Sequence, residues 1–212
     1  MTTTAPLADN LRQRIIDGEF APGSRLSESA LAERLDVSRN TLREAFRVLA
    51  EQGLIEHVPH RGVSVAAPSM VDVVDIYRAR RVIEGAALRD ADPEHPAVEL
   101  MRAAVKDAES HLGGTDWRLI GSANMAFHDA IVALADSPRL ARTYQNVAAE
   151  LRLAFLEIDD PRALHEPFVR RNRSVLDAFL STGPEAAAEE LEKYLTRSER
   201  TVLGAFARMG KH

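Results

Sequence analysis

Beyond Pro68, every long segment of this 212-residue chain repeats its apolar residues at helical period. Helices are expected near 69–91, 96–112, 116–135, 138–158, 162–181 and 184–208. Asp92-Pro93, Gly113-Gly114, Ser137-Pro138, Asp160-Pro161 and Gly183-Pro184 interrupt them, pairs that neither continue nor easily start a helix interior. Breaks this short join antiparallel neighbours, so residues 68–212 are expected to form an all-α antiparallel helical bundle.

Residues 1–67 are patterned differently. Leu7, Leu11 and Ile15 mark a helix ending near Gly18, and Ala21-Pro22-Gly23 is a turn. Ser27 is placed to cap a short helix carrying Leu31 and Leu35. Ser38 is placed to cap the next, where Leu42, Ala45, Phe46 and Leu49 form a stripe that Gly53 ends. Two strand-like runs, 54–58 and 63–65, flank Pro59-His60-Arg61-Gly62 and imply a hairpin. Helices, a tight turn, a third helix and a hairpin make a winged helix-turn-helix, so the fold class is mainly α, with the domain boundary at 67/68.

The formal charge of −5 is split as −1 over residues 1–67 and −4 over the rest, so neither half is basic as a whole. The local pattern is sharper. Arg39, Arg43 and Arg47 recur every four residues, a spacing that drifts only about 40° per step, so the three cations share a stripe away from the apolar one. Arginine near the start of such a helix can bond guanine O6 and N7, worth roughly 1–3 kcal/mol of discrimination each. Ser38 and Thr41 can bond phosphate, and Asn40 can serve bases or phosphates. The alternative is a solvated face paired with Glu44 or Glu51. The coincidence of the stripe with the helix start, the preceding turn and His60-Arg61-Gly62 favours DNA. A charge confined to one small face favours a selective binder over a non-specific one.

The runs Pro22-Gly23-Ser24-Arg25-Leu26-Ser27-Glu28, Leu35-Asp36-Val37-Ser38-Arg39, Leu42-Arg43-Glu44-Ala45 and Leu49-Ala50-Glu51-Gln52-Gly53-Leu54-Ile55 resemble the GntR family of bacterial transcription regulators. The resemblance implies that Ser38, Arg39, Asn40, Thr41 and Arg43 meet the operator, and that the wing at His60, Arg61 and Gly62 reaches the minor groove. Some relatives add an arginine from the second helix. This chain has Ser29 or Ala30 there, and Arg34 is the residue that can reach phosphate instead.

In the second half, polar residues fall on stripes that a bundle should bury. These are Arg80 beside Val73, Ile76 and Ile83; Asn124 and His128 beside Ile120, Phe127 and Ile131; Asn172 beside Phe168 and Val175; and Tyr194 and Ser198 beside Leu191 and Val202. An unpaired buried amide costs roughly 1–3 kcal/mol, so these groups must find each other, water or a ligand. Arg80 can also pair with Glu84 or snorkel to solvent.

Tyr77 to Glu84, Asn124 to His128, Asn172 to Ala178 and Ala187 to Tyr194 resemble the FCD effector domain of the FadR subfamily. Many members hold a divalent metal on one Asp and three His. Here those positions are Asn124, His128, Asn172 and Tyr194, of which only His128 is retained. Amides and a phenol are poor ligands for such ions at neutral pH, so no metal and no cofactor are expected. Ligand-binding residues are expected at Arg80, Asn124, His128, Asn172 and Tyr194, with Arg80 anchoring a carboxylate or phosphate.

The expected function is a homodimeric, ligand-responsive transcription factor on a palindromic DNA operator, most simply a repressor, with an organic acid or related metabolite as effector. The alternative is a metal-dependent sensor of the same fold using His128, with His165 or His111 recruited. A chain with no cysteine has no thiol chemistry or cysteine-ligated metal. Glu84, Glu150 and Asp177 read as single surface or capping acids, and the stripe of His128 carries no carboxylate, so no enzyme is expected. No apolar run is long enough for a membrane span and no basic signal region opens the chain, which points to the cytoplasm.

Overall fold

The computed structural model describes residues 4–58 and 62–211. Its elements run α1 (Thr4–Ile16), β1 (Arg25–Leu26), α2 (Glu28–Arg34), α3 (Arg39–Glu51), β2 (Ile55–Val58), β3 (Gly62–Val65), α4 (Met70–Arg89), α5 (Ala97–Ser110), α6 (Trp117–Ala133), α7 (Pro138–Leu156), α8 (Pro161–Ser181) and α9 (Pro184–Arg208). The chain divides into two compact units, Met1–Ser69 with Ala149–Glu157, and Met70–Ala148 with Ile158–His212.

In the first unit, Leu7, Leu11 and Ile15 of α1 meet Leu42, Phe46 and Leu49 of α3, all buried, and Leu153 packs into the same core. Ser27 and Ser38 cap α2 and α3 by accepting from the N–H groups of Ala30 and Thr41. The turn between these helices passes through Asp36 at φ 51, a left-handed conformation that a short polar side chain tolerates. The antiparallel sheet has the order β1-β3-β2, with Ile55 opposite Val65 and Leu26 opposite Val63. β1 carries no strand signal in the sequence. Two residues carry no alternation, and Arg25–Leu26 becomes a strand because the edge of β3 pairs with it.

The second unit is helical. α4 packs on α9, α9 on α8, and α6 on α5, α8 and α4. Each helix begins or ends close to the Pro and Gly breaks. Pro138, Pro161 and Pro184 sit at first helical positions, where the missing N–H costs nothing. Asp116 and Asp160 cap α6 and α8 through side-chain oxygens. Among the described residues no helix is long and apolar enough to cross a membrane.

Candidate nucleic-acid interface and buried bundle site

α3 presents two faces. Leu42, Ala45, Phe46 and Leu49 are buried, whereas Ser38, Arg39, Asn40, Arg43 and Arg47 are exposed and Thr41 is half-buried. The Ser38 hydroxyl accepts from Thr41 N at 3.0 Å and lies 2.8 Å from the Thr41 hydroxyl, which fixes the first turn. Among the described residues Arg39 makes no ion pair. Arg43 donates from Nε to Glu28 on α2 at 2.8 Å, and Arg47 lies 3.2 Å from Glu44. Exposed pairs of this kind are worth about 0–1 kcal/mol, so both arginines can be redirected at little cost. Arg34 donates to Glu19 at 3.0 Å and lies over the Phe20 ring, tied back toward its own unit. Gly62 opens β3 at φ 87, a backbone that favours glycine. His60 and Arg61 lie outside the described residues.

Inside the bundle, Arg80, Asn124, His128, Asn172 and Tyr194 are all buried, at 1–6% exposure. The ion pair of Arg80 with Glu84, one of the two alternatives the sequence offers for Arg80, forms here, and the structure adds His128 and Tyr144 to it. Glu84 is fully buried, which corrects the expectation of a surface charge. It also supplies His128 with the carboxylate partner that its own stripe lacks, because the partner comes from α4. Glu84 accepts from Arg80 Nε at 2.7 Å and from the Tyr144 hydroxyl at 2.9 Å, and its other oxygen lies 2.6 Å from His128 Nδ1. The signal available in the sequence was the i, i+4 spacing to Arg80, which puts the carboxylate on the same helix face. Tyr144 on α7 falls on none of the polar stripes of the sequence.

The charges follow from these contacts. Burial alone pushes the Glu84 carboxyl up, but Arg80 and His128 reverse that and hold it at about 2. Burial disfavours a charged Arg80, yet Glu84 raises its pKa well above the ordinary value. Burial lowers His128 below its ordinary value, with Glu84 and Arg80 acting in opposite directions. The site therefore holds an ionised Arg80–Glu84 pair and a neutral imidazole whose Nδ1–H donates to Glu84.

Asn172 Nδ2 donates to Asn124 Oδ1 at 3.0 Å, and Asn124 Nδ2 points at the His165 carbonyl at 3.5 Å. The Tyr77 hydroxyl meets Ser198 at 2.6 Å. Tyr194 packs against His128 and Phe168, with ring centroids 4.7 and 5.1 Å apart. Among the described residues of this cluster, Arg80 Nη2, His128 Nε2 and Asn172 Oδ1 are buried with no hydrogen-bond partner.

These residues do not suit a metal. The donor set at Asn124, His128, Asn172 and Tyr194 holds one imidazole, and one amide oxygen is already taken by the other amide. Among the described residues no cluster of three or more His, Asp or Glu side chains could hold an ion. His165 is buried, whereas His111 pairs with Asp107 nearer the surface.

This unit also carries concavities. A cavity of about 570 Å³ opens among α5, α6 and α7, lined by alanines with Leu100, Gln145 and Tyr144. A groove of about 370 Å³ between α8 and α9 is lined by Arg171, Lys193, Arg197 and Arg200 with Glu192 and Thr196.

Comparison with known proteins decides the family. The family model "Bacterial regulatory proteins, gntR family" matches residues 3–65, and the FCD domain model matches residues 75–197, more than half of the chain. The chain belongs to the GntR family and carries an FCD domain. A putative GntR transcriptional regulator from Rhodococcus sp. RHA1 is 39% identical, with a TM-score of 0.90 over 95% of this chain and 98% of that one. The probable D-xylose utilization operon transcriptional repressor of Paenarthrobacter nicotinovorans is 28% identical over 92% of this chain and 86% of its own length. The repressor RspR of Escherichia coli is 44% identical over 81 residues, 38% of this chain and 36% of its own length. This GntR-family chain is thus a helix-turn-helix DNA-binding transcription regulator with an FCD effector domain, and its family is not one of enzymes.

Proposed function

We propose that the chain is a repressor that binds a palindromic operator as a homodimer and is released by a small metabolite held in the bundle. The observation that carries this reading is α3 itself. One of its faces is buried in the core while the other carries three exposed arginines beginning at a capped N-terminus. Arg39, Asn40 and Arg43 read base edges in the major groove. Ser38, Thr41, Arg47 and Arg34 meet phosphates, and the wing through His60, Arg61 and Gly62 enters the minor groove. Two-fold symmetry of the dimer is mirrored in the operator. The relatives named as repressors support the sign. The DNA-binding and effector-binding portions divide at 67/68.

The effector sits beside Arg80, Asn124, His128, Asn172 and Tyr194 and acts by its different affinity for operator-competent and incompetent dimers. The test is binding to DNA upstream of the chain's own and neighbouring genes. Arg39→Ala with Arg43→Ala should abolish operator binding while leaving dimer and melting temperature unchanged. Operator affinity that survives both changes defeats the assignment of α3.

A further inference from the structure

We propose that the effector is an uncharged, polyhydroxylated small molecule, a sugar or sugar alcohol, rather than the organic acid that Arg80 suggests when considered alone. The proposal rests on the reading of the bundle as the effector site and names the class of molecule that site takes.

The unpaired buried atoms define what a ligand has to supply. Arg80 Nε is spent on Glu84, which leaves Nη2 as an unmet donor. His128 Nδ1 lies against Glu84, and in the neutral imidazole that donates there the unmet Nε2 is a lone pair, an acceptor. Asn172 donates from Nδ2 to Asn124, so the unmet Oδ1 is a second acceptor. The side chains holding these atoms are 1–2% exposed, and each unmet atom costs free energy until something pairs with it. A carboxylate can satisfy only the first, because it has no proton to give the two acceptors. Hydroxyl groups both donate and accept, so a molecule with several can meet unpaired donors and unpaired acceptors alike.

Charge points the same way. Glu84 already neutralises Arg80 in the fully buried site, so a carboxylate ligand would bring in an anion with no counter-charge left to meet it. An uncharged ligand leaves the balance untouched. The flanking rings of Tyr194 and Phe168 offer apolar faces for the C–H side of such a molecule. The cationic groove between α8 and α9 would draw an acid, but its charges face solvent and are screened, whereas the unmet acceptors are buried.

The experiment uses the full-length protein. Calorimetry and thermal shift are run with D-xylose, D-glucose, D-ribose, xylitol and glycerol, and with the matched acids D-xylonate, D-gluconate and D-ribonate, alongside citrate and inorganic phosphate. At least one uncharged polyol should bind saturably and raise the melting temperature, and its matched acid should bind about tenfold or more weakly. Asn172→Leu removes one of the unmet acceptors together with the donor to Asn124, and should weaken the polyol by about tenfold or more in calorimetry against the wild-type protein. His128→Phe serves as the second variant should Asn172→Leu not fold. Stabilisation by acids and by none of the polyols overturns the proposal. So does a panel in which nothing binds, the result expected if the three atoms hold only structural water. Operator binding is measured on the same preparation. If it is intact when the polyols fail, the ligand class alone is wrong; if it is absent, the regulator reading falls and this proposal with it.

Discussion

Glu84 organises the bundle interior through three partners, each from a different helix or turn. Breaking a buried ion pair by removing one member leaves the other charged and unpaired, so Glu84→Gln should destabilise the chain by about 3–5 kcal/mol in denaturant unfolding. The same contacts set the pH response. The Glu84 carboxyl is held at about 2, below its ordinary 4.5, so its stabilisation is complete above 4.5 and is lost as pH falls towards 2. His128 is shifted below 6.5, so the unfolded chain takes up that proton first and stability begins to fall below 6.5. Melting temperature measured against pH should therefore decline in two stages on acidification, and His128→Gln should remove the first. At this scale the sequence was informative about burial and poor about partners. The helical stripes correctly place Arg80, Asn124, His128, Asn172 and Tyr194 inside. That Glu84 joins them from α4, and Tyr144 from α7, depends on how helices face each other, which the period of one helix does not encode.

Helix punctuation was legible because it is local chemistry. Proline at a first turn, serine or aspartate at a cap and glycine past an end each act within a few residues, and α3, α6, α7, α8 and α9 start by such signals. Gly53 ends α3 at φ 72, and a Cβ there would stand 2.7 Å from the Glu150 carboxyl carbon. β1 was invisible because its two residues become a strand only through pairing with β3. The last turns of α7, from Ala149 to Leu156, join the core built by α1 and α3, although their sequence reads as an ordinary amphipathic helix. The cap at Ser38 matters twice. Its hydroxyl holds both the N–H and the hydroxyl of Thr41, so it stabilises the helix and orders the turn that carries Arg39 and Asn40. Ser38→Ala should cost about 1 kcal/mol of stability and weaken operator binding by more than its effect on folding accounts for. Equal losses in chemical denaturation and in operator titration would make Ser38 a structural cap only.

Over the whole molecule, a net charge of −5 and the exposed arginines of α3 describe the same design. A protein with no excess of positive charge gains little from the DNA backbone at large, so its affinity has to come from one face docked in register. Family membership fixes the class of function, and the electrostatics narrow how that class is carried out. The bundle interior holds the buried Arg80–Glu84 pair beside polar atoms that lack a hydrogen-bond partner, and under the proposed function the response depends on matching those atoms. The most direct measurement is equilibrium binding at physiological salt to the DNA upstream of the chain's own gene and to random duplex of equal length. The upstream site should bind about 10³-fold or more tightly, with the advantage lost in the Arg39→Ala, Arg43→Ala protein. Equal affinity for the two duplexes would contradict a selective operator-binding regulator.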